Sequence, residues 1–346
     1  MVKGGVEALK KYRFAVLSYA HFHAYSYSRA VKELPNSELV AVYDDDPARG
    51  REAARQFNAA YYEDYEELLK RADVDAVIID SENVKHRALA VAAAEAGKHI
   101  LCEKPIATTL EDADAIVRAV EKAKVKFQTC FVMRYNPPAL RVKEVIDSGE
   151  IGKITAITGT NHLKWFGIDV MRWFVNPELS GGGAVMDHTV HLADLMRWYT
   201  GSEASRVYCE IGKNIRRELK VEDNFLTMIN FRDGTVGTVD GSWSRPENYH
   251  YWGDVTMEII GTEGMILLDA FRQVLYLTSE NSKGLEWQFY AGDTDKEMVK
   301  HLIRCLEEDS TPRATVMDGR QATEITIASY ESAREHRAVD LPLRTR

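Results

Sequence analysis

The chain has 346 residues, of which 45% are hydrophobic and 28% charged, and its formal net charge is −9. This length allows two domains with separate cores, and the composition is typical of soluble globular proteins. The acidic balance argues against nucleic acid or an anionic membrane as the main partner. No apolar run approaches the roughly 18 residues of a membrane span, and the N-terminus lacks the apolar core of a secretory signal, so we expect a cytoplasmic protein.

The four cysteines of the chain lie far apart in the sequence: Cys102, Cys130, Cys209 and Cys305. None belongs to a C-x-x-C pair, so neither a disulfide framework nor a cysteine-based zinc site is indicated. The pattern predicts reduced thiols in an intracellular protein.

Short apolar runs alternate with helical patterns in the first part of the chain. The strand patterns fall at 14–17, 39–43, 74–79, 99–102 and 126–132. The helical patterns fall at 24–34, 48–57, 65–71, 86–96 and 110–124. This alternation predicts an α/β domain with a doubly wound parallel sheet, and right-handed crossovers give it the Rossmann topology. We assign residues 1–131 to this dinucleotide-binding domain.

The pattern changes after about Val132. Helical patterns at 140–148, 184–199, 296–307 and 320–337 surround a long series of strand-like runs, which ends at Tyr290. The turn pairs Asp233-Gly234 and Glu263-Gly264 join neighbouring runs as hairpins do. We therefore expect residues 132–346 to form an α+β domain with a large, mainly antiparallel open sheet.

A lysine follows the apolar run His99–Cys102, in the segment Glu103-Lys104-Pro105. Ligands of open α/β sheets bind at the carboxyl ends of the strands, and charged side chains are rarely placed there without a partner. Lys104 is therefore a candidate catalytic group. A solvated lysine beside a turn proline explains these residues alone equally well.

The first strand–helix turn reads Ser18-Tyr19-Ala20-His21-Phe22-His23. A dinucleotide site commonly has G-x-G-x-x-G here, so that backbone N–H groups approach the diphosphate. None of the three glycine positions holds glycine. We expect the imidazole of His21 or His23 to lie beside the phosphates or the substrate. The alternatives are a polar helix start and, less favoured, a zinc site, since no cysteine cluster accompanies the histidines.

Asp44 follows the second strand at the distance expected for a carboxylate that accepts a hydrogen bond from the ribose 2′-OH of the cofactor. Asp45 and Asp46 lie beside it and would repel a 2′-phosphate. This arrangement predicts NAD rather than NADP. The three acids also suit the N-terminus of the following helix.

The segment Gly181-Gly182-Gly183 precedes an apolar stretch that contains Asp187, His188 and His191. In a helix, Asp187 and His191 share one face. We expect the carboxylate to orient the imidazole and support its charged form, an arrangement suited to proton transfer. A buried pair that only stabilises the helix is the alternative. A metal site is less favoured, because further ligands are not apparent.

Several segments together resemble the Gfo/Idh/MocA oxidoreductases over nearly the whole chain: Asn83-x-x-His86, Ala96 to Pro105, Arg134-Tyr135-Asn136-Pro137, Gly181 to Gly183 with Asp187, His191 and Asp194, and Ile260 to Gly264. The resemblance implies that Lys104, Asp187 and His191 form the catalytic centre. It also implies a cis peptide before Pro105. It further implies a homodimer or homotetramer, with residues 132–346 as the substrate-binding and oligomerisation domain. Thr189 stands where the family has a glycine, so its backbone should avoid positive φ.

These considerations predict hydride transfer between the nicotinamide of NAD and a secondary hydroxyl or ketone of a sugar or polyol. We expect the cofactor to contact Ser18, Ala20, His21, Phe22, His23, Asp44, Ser81, Asn83, His86, Glu103, Lys104 and Arg134. We expect the substrate to contact Lys104, Arg134, His162, Trp165, Arg172, Asp187, His188, His191 and Tyr249. No resident metal is expected.

Two other functions remain open at this point. A glycosidase or lyase with tightly bound NAD would oxidise its substrate transiently and show no net NAD reduction. A non-catalytic sensor of a dinucleotide or sugar is suggested by the missing glycines, although the presence of Lys104, Asp187 and His191 together argues against it.

Overall fold

The computed structural model describes residues 10–249, 251–272, 274–277, 286–289 and 292–343. Tyr290, where the last predicted run ends, lies outside this part of the chain. The first sheet contains β1 (Tyr12–Leu17), β2 (Ser37–Tyr43), β3 (Ala60–Tyr62), β4 (Ala76–Ile79), β5 (His99–Cys102) and β6 (Phe127–Thr129). All neighbouring pairs are parallel, in the order β3-β2-β1-β4-β5-β6. The predicted Rossmann topology is confirmed.

Five helices belong to the crossovers of this sheet: α1 (His23–Glu33), α2 (Pro47–Phe57), α3 (Tyr65–Leu69), α4 (His86–Glu95) and α5 (Leu110–Ala123). Their ends follow from local chemistry, as α2 illustrates. Its first turn begins with Pro47, and the Asp46 carboxylate accepts hydrogen bonds from the N–H groups of Ala48 and Arg49. The helix ends at Asn58, which adopts the left-handed conformation.

The second sheet has seven strands: β7 (Ile154–Lys164), β8 (Ala204–Ile211), β9 (Asn224–Phe231), β10 (Val236–Arg245), β11 (Thr256–Gly261), β12 (Met265–Asp269) and β15 (Val339–Asp340). Their order is β12-β11-β7-β10-β9-β8-β15. The β7–β10 pair is parallel and the other pairs are antiparallel, which confirms the mainly antiparallel sheet. Both predicted hairpin turns are present. A separate two-stranded sheet consists of β13 (Val274–Leu277) and β14 (Glu286–Phe289).

Six further helices complete the described part: α6 (Pro137–Asp147), α7 (Ile168–Met171), α8 (Pro177–Ser180), α9 (Ala184–Thr200), α10 (Thr294–Glu307) and α11 (Val316–Glu335). Helix α9 covers one face of the seven-stranded sheet and is buried along most of its length. Helix α10 returns to the first sheet, where Met298, Val299 and Leu302 join the core beneath α1. The boundary between residues 131 and 132 stays a prediction.

Among the helices of the described ranges, none combines the length and the apolar character that a membrane crossing requires.

Candidate active site

The two halves of the chain come together where Lys104 contacts Asp187. Lys104 follows β5, and its Nζ lies 2.6 Å from Oδ1 of Asp187 in the first turn of α9. The two side chains are only 5% and 14% exposed. Around this ion pair is a cavity of about 10 Å³, lined by residues from both halves of the chain: Asn83, Lys104, Pro105, Phe174, Ser180, Gly182, Gly183, Met186, Asp187 and Trp243. The site is thus closed around the ion pair.

The start of α9 is fixed by its contacts with Glu222. The Oε1 atom of Glu222 accepts hydrogen bonds from the N–H groups of Gly183 and Val185, at 2.9 and 3.0 Å. These are among the helix N–H groups that have no acceptor within the helix. A Cβ at Gly183 would lie 2.0 Å from the backbone oxygen of Glu222, so the close approach requires glycine. This anchoring positions Asp187 one turn into the helix.

The Asp187 carboxylate has two further partners besides Lys104. Its Oδ2 atom lies 3.1 Å from Nε2 of His188 and accepts a hydrogen bond of 3.2 Å from Nε1 of Trp243. Burial acts to raise the pKa of Asp187, but the charges of Lys104 and His188 outweigh it and hold the pKa well below its usual range. The same pair raises the pKa of Lys104 against the effect of burial. Both groups are therefore charged at neutral pH.

His191 lies one turn further along α9. Its Nδ1 atom is buried and has no hydrogen-bond partner in the part of the chain that the structure describes. Burial, followed by the charge of Lys104, holds the pKa of His191 well below its usual value. The charge of Asp187 raises the pKa of His191, as expected, but burial and the charge of Lys104 outweigh that effect, so His191 is not held in its charged form. A neutral His191 can accept a proton.

The chain conformation around this motif agrees with two implications of the resemblance. The Lys104–Pro105 peptide bond is cis. Thr189 lies inside α9 and is not among the residues with positive φ.

The backbone of the first turn resembles that of a dinucleotide-binding turn, although the turn contains no glycine. Ser18 adopts φ of 80° at the first glycine position, and Ala20 is small. However, four N–H groups of the turn already have acceptors in the protein: Tyr19 donates to Asp44, Ala20 to Ser18 Oγ, His21 to the Asp80 carbonyl and His23 to His21 Nδ1. Phe22 is half exposed. The turn therefore offers a diphosphate few free backbone donors.

Asp44 lies at the predicted strand end, but its carboxylate is not open to a ribose hydroxyl. Arg49 donates to both oxygens, with distances of 2.8 Å from Nε and 2.6 Å from Nη2. The N–H groups of Tyr19 and Asp46 donate to the same carboxylate, which is 1% exposed. The direct ribose contact is therefore not supported by this geometry.

Residues that follow β4 form hydrogen bonds with the backbone next to Lys104. His86 is buried, with Nδ1 2.8 Å from the Pro105 carbonyl and Nε2 3.2 Å from the Ser81 carbonyl. Asn83 donates to the Ser180 carbonyl at 2.9 Å and lines the cavity. The structure thus brings Asn83 to the cavity beside the Lys104–Asp187 pair, whereas His86 contacts the backbone around it.

Arg134 lies in a buried ion network and not at the Lys104–Asp187 pair. Its Nε and Nη2 donate to both oxygens of Asp194, at 2.7 and 2.6 Å, and Nη2 also donates to Asp318 at 3.0 Å. Its Nη1 donates to the Arg313 carbonyl. With these partners, Arg134 has little hydrogen-bonding capacity left for a cofactor or substrate.

The predicted substrate contacts fall in different places. His162 lies on the face of the second sheet opposite α9, between Asp240 and Asp254, at 3.1 Å from each. The reason is the alternation of β7, since Ile157 and Gly159 face α9. Trp165 packs behind Trp243, with ring centroids 6.5 Å apart.

Two further predicted residues lie on peripheral segments. Arg172 is exposed and donates to the Asp169 carbonyl at 2.7 Å, and the Tyr249 ring lies 5.5 Å from the Arg245 guanidinium. Trp243 and Phe174 line the cavity but were not predicted. The alternation of β10 was the available signal for Trp243, because Val239 and Gly241 of the same strand also face inward.

Two family models match most of the chain. The model described as "Oxidoreductase family, NAD-binding Rossmann fold" matches residues 13–131. The model described as "GFO/IDH/MocA C-terminal domain" matches residues 139–267.

Two curated relatives illustrate the similarity. The 1,5-anhydro-D-fructose reductase of Ensifer adhaerens is 32% identical over 281 residues, which cover 80% of this chain and 82% of the relative. The scyllo-inositol 2-dehydrogenase (NAD(+)) of Bacillus subtilis is 29% identical over 342 residues, with 96% and 97% coverage. Among solved structures, a levoglucosan dehydrogenase in complex with NADH and levoglucosan is 25% identical, with a TM-score of 0.83 and coverage of 96% and 100%.

The placement of Arg134 predicts a structural role that stability measurements can test. Replacing Arg134 by Met leaves Asp194 and Asp318 without their buried partner, so the free energy of unfolding should fall by about 3–5 kcal/mol. The exposed Arg141, which pairs with Glu144 one turn away, provides the control, and Arg141→Met should change stability by about 0.5 kcal/mol or less. Chemical denaturation measures both, and equal effects of the two substitutions would contradict the network's importance.

The neutral state of His191 can be measured by NMR of its imidazole nitrogens, with His191→Gln to assign the signals. We expect a pKa below the ordinary value of about 6.5. Lys104→Met removes a neighbouring positive charge and should raise that pKa. Lys153→Met, at an exposed position, should leave it unchanged. An unshifted or lower pKa in Lys104→Met would show that Lys104 does not act on His191.

Proposed function

Because the chain belongs to the Gfo/Idh/MocA family of oxidoreductases, we propose that it transfers a hydride between the nicotinamide of NAD and a secondary hydroxyl or ketone of a sugar, polyol or related carbohydrate. The observation that carries the proposal is the buried Lys104–Asp187 pair with His191 one turn away. The names of the relatives support the substrate class, since they include dehydrogenases of inositol and of levoglucosan.

The backbone of the first sheet and its first turn is suited to binding a dinucleotide. The strand order is the dinucleotide-binding one, and Ser18 takes the left-handed conformation that the first glycine usually provides. Ser18, Ala20 and Asn83 are the residues that we expect to lie against the cofactor. When bound, NAD supplies the carbon that accepts or donates the hydride.

The chain's own residues handle the proton and the charge on the substrate oxygen. In the oxidation direction, neutral His191 accepts the hydroxyl proton as the carbonyl forms. The Lys104 ammonium stabilises negative charge on that oxygen. Asp187 keeps Lys104 charged and oriented, and it is in turn held by the indole N–H of Trp243. The buried location strengthens these electrostatic interactions, because little water competes for them.

Turnover of the catalytic variants tests the proposal. The wild-type protein should reduce NAD with at least one member of a panel of inositols, aldoses, anhydrosugars and polyols, followed at the NADH absorbance band. His191→Ala should lower kcat by about 10²- to 10⁴-fold, because general base catalysis typically contributes that factor, and Lys104→Ala should lower it at least as much.

The exposed His336 at the end of α11 offers a matched control, and His336→Asn should retain full turnover. Normal turnover in both catalytic variants would remove the assignment of the site. Cleavage of a glycoside without net NADH formation would identify the glycosidase or lyase alternative instead.

We also propose that NAD is preferred over NADP. Asp44, Asp45 and Asp46 follow β2, where Arg49 contacts both Asp44 and Asp45 and Lys85 also pairs with Asp45. A 2′-phosphate would have to compete with these carboxylates for Arg49.

Binding measurements on both cofactors test this preference. The Kd for NADP should exceed the Kd for NAD by at least about tenfold, which corresponds to about 1.4 kcal/mol. Asp45→Asn removes one negative charge that repels a 2′-phosphate, so it should lower the ratio of the Kd for NADP to the Kd for NAD. Tighter binding of NADP by the wild-type protein would overturn the preference.

Two further features of the working protein belong to the proposal. The outer face of the second sheet carries exposed apolar side chains, at Leu226, Met228, Ile260, Met265 and Leu267. Such a face suits pairing with a second copy, so we propose a homodimer or homotetramer. All four cysteines are unpaired and buried, which supports a reducing, cytoplasmic location.

A further inference from the structure

Two histidines and a carboxylate converge beside the first turn, apart from the Lys104–Asp187 pair. His21 lies in the turn, His23 is the first residue of α1, and Glu103 follows β5. One potential ligand atom from each lies within 4.8 Å of the other two. His21 and Glu103 are each 1% exposed, and the His23 side chain is 28% exposed. The group is therefore mostly shielded and open on the His23 side.

The distances within the group approach those of ligands around one ion. Nδ1 of His23 lies 3.2 Å from Oε2 of Glu103. Neighbouring ligands of a tetrahedral ion with bonds near 2.0–2.1 Å lie roughly 3.3 Å apart. Nδ1 of His21 accepts a hydrogen bond of 3.1 Å from the His23 N–H, so this imidazole carries a lone pair there. Binding an ion would exchange that single hydrogen bond for a metal–nitrogen bond.

The surroundings of Glu103 complete the arrangement. Tyr27 donates to Oε2 of Glu103 at 2.7 Å, the kind of outer hydrogen bond that orients a metal-bound carboxylate. The neighbouring Lys104 directs its Nζ to Asp187 and does not compete for Glu103 through that atom. The Oε2 atom of Glu103 thus lies beside Nδ1 of His23 and within 4.8 Å of a ligand atom of His21.

A further carboxylic acid side chain without a hydrogen-bond partner among the described residues lies next to His21, whose N–H donates to the backbone carbonyl of Asp80 at 2.9 Å. Asp80 follows β4, is fully buried, and receives a hydrogen bond on neither carboxylate oxygen from any described residue. An unpartnered carboxylate in the protein interior is costly, and a nearby cation would reduce that cost.

We propose that His21, His23 and Glu103 bind one divalent transition-metal ion, of the class that prefers imidazole and carboxylate ligands, such as Zn²⁺, Mn²⁺ or Fe²⁺. Three protein ligands leave at least one coordination position open. The ion would also place positive charge beside a turn whose N–H groups already have acceptors, where a dinucleotide diphosphate needs it. This second role rests on the proposed use of NAD, whereas the metal site itself does not.

The full-length protein tests the site directly. After chelation and dialysis, titration with Zn²⁺ followed by elemental analysis should show about one equivalent bound, and Co²⁺ should give visible d–d bands from a site with open coordination. Loss of an outer ligand contact already weakens metal binding by about 10- to 100-fold, so His21→Gln, His23→Gln and Glu103→Gln should each raise the Kd at least about 100-fold. His336→Asn is the matched control and should bind like the wild type.

Each result bears on the proposal in a defined way. Wild-type protein that binds none of Zn²⁺, Co²⁺ or Mn²⁺ above trace would overturn it, as would equal binding by wild type and by folded variants, checked by circular dichroism. The role toward the diphosphate is tested by the Kd for NAD with and without metal, which should differ at least about tenfold. Metal binding with an unchanged Kd for NAD would overturn that role alone, and sugar-dependent NADH formation reports separately on the proposed function.

Discussion

One ion pair between the two halves of the chain determines the arrangement of the site. Lys104 comes from the carboxyl end of a parallel strand, and Asp187 comes from the first turn of the helix that covers the other sheet. Neither charge would be tolerated in its buried position without the other. The pair therefore joins the two halves of the chain at the proposed site. Burial, and after it the charge of the same lysine, holds the pKa of His191 well below its usual value.

Much of the fold follows from pattern alone. The alternation of apolar runs and helices was sufficient for the parallel sheet, and the turn residues were sufficient for the hairpins of the second sheet. Lys104, Asp187 and His191 were also accessible from the sequence, because a strand end and a four-residue helical spacing define their positions. These features depend on interactions close along the chain.

The failures concern the partner that each side chain meets in the folded protein. The histidine that meets the Asp187 carboxylate is His188, and Trp243, 56 residues further along, donates to the same carboxylate. Asp44 has the expected place at a strand end, but Arg49 from the next helix takes its oxygens. The Arg134 guanidinium donates to the carboxylate of Asp194, 60 residues further along the chain. Spacing in the sequence predicts where a residue lies in a strand or helix, whereas the packing of the elements determines the partners of its side chain.

The course of the last two long helices affects how the site can open. Helix α10 packs beneath α1 in the first core, and α11 lies against α5 of the first half and α9 of the second. The halves are thus joined by the connection after β6 and again by these helices, so a wide hinge rotation would have to shear α11 along both neighbours. Exchange of a small molecule with the cavity would therefore involve local displacement of side chains that line it, such as Phe174, and not a change of the angle between the halves.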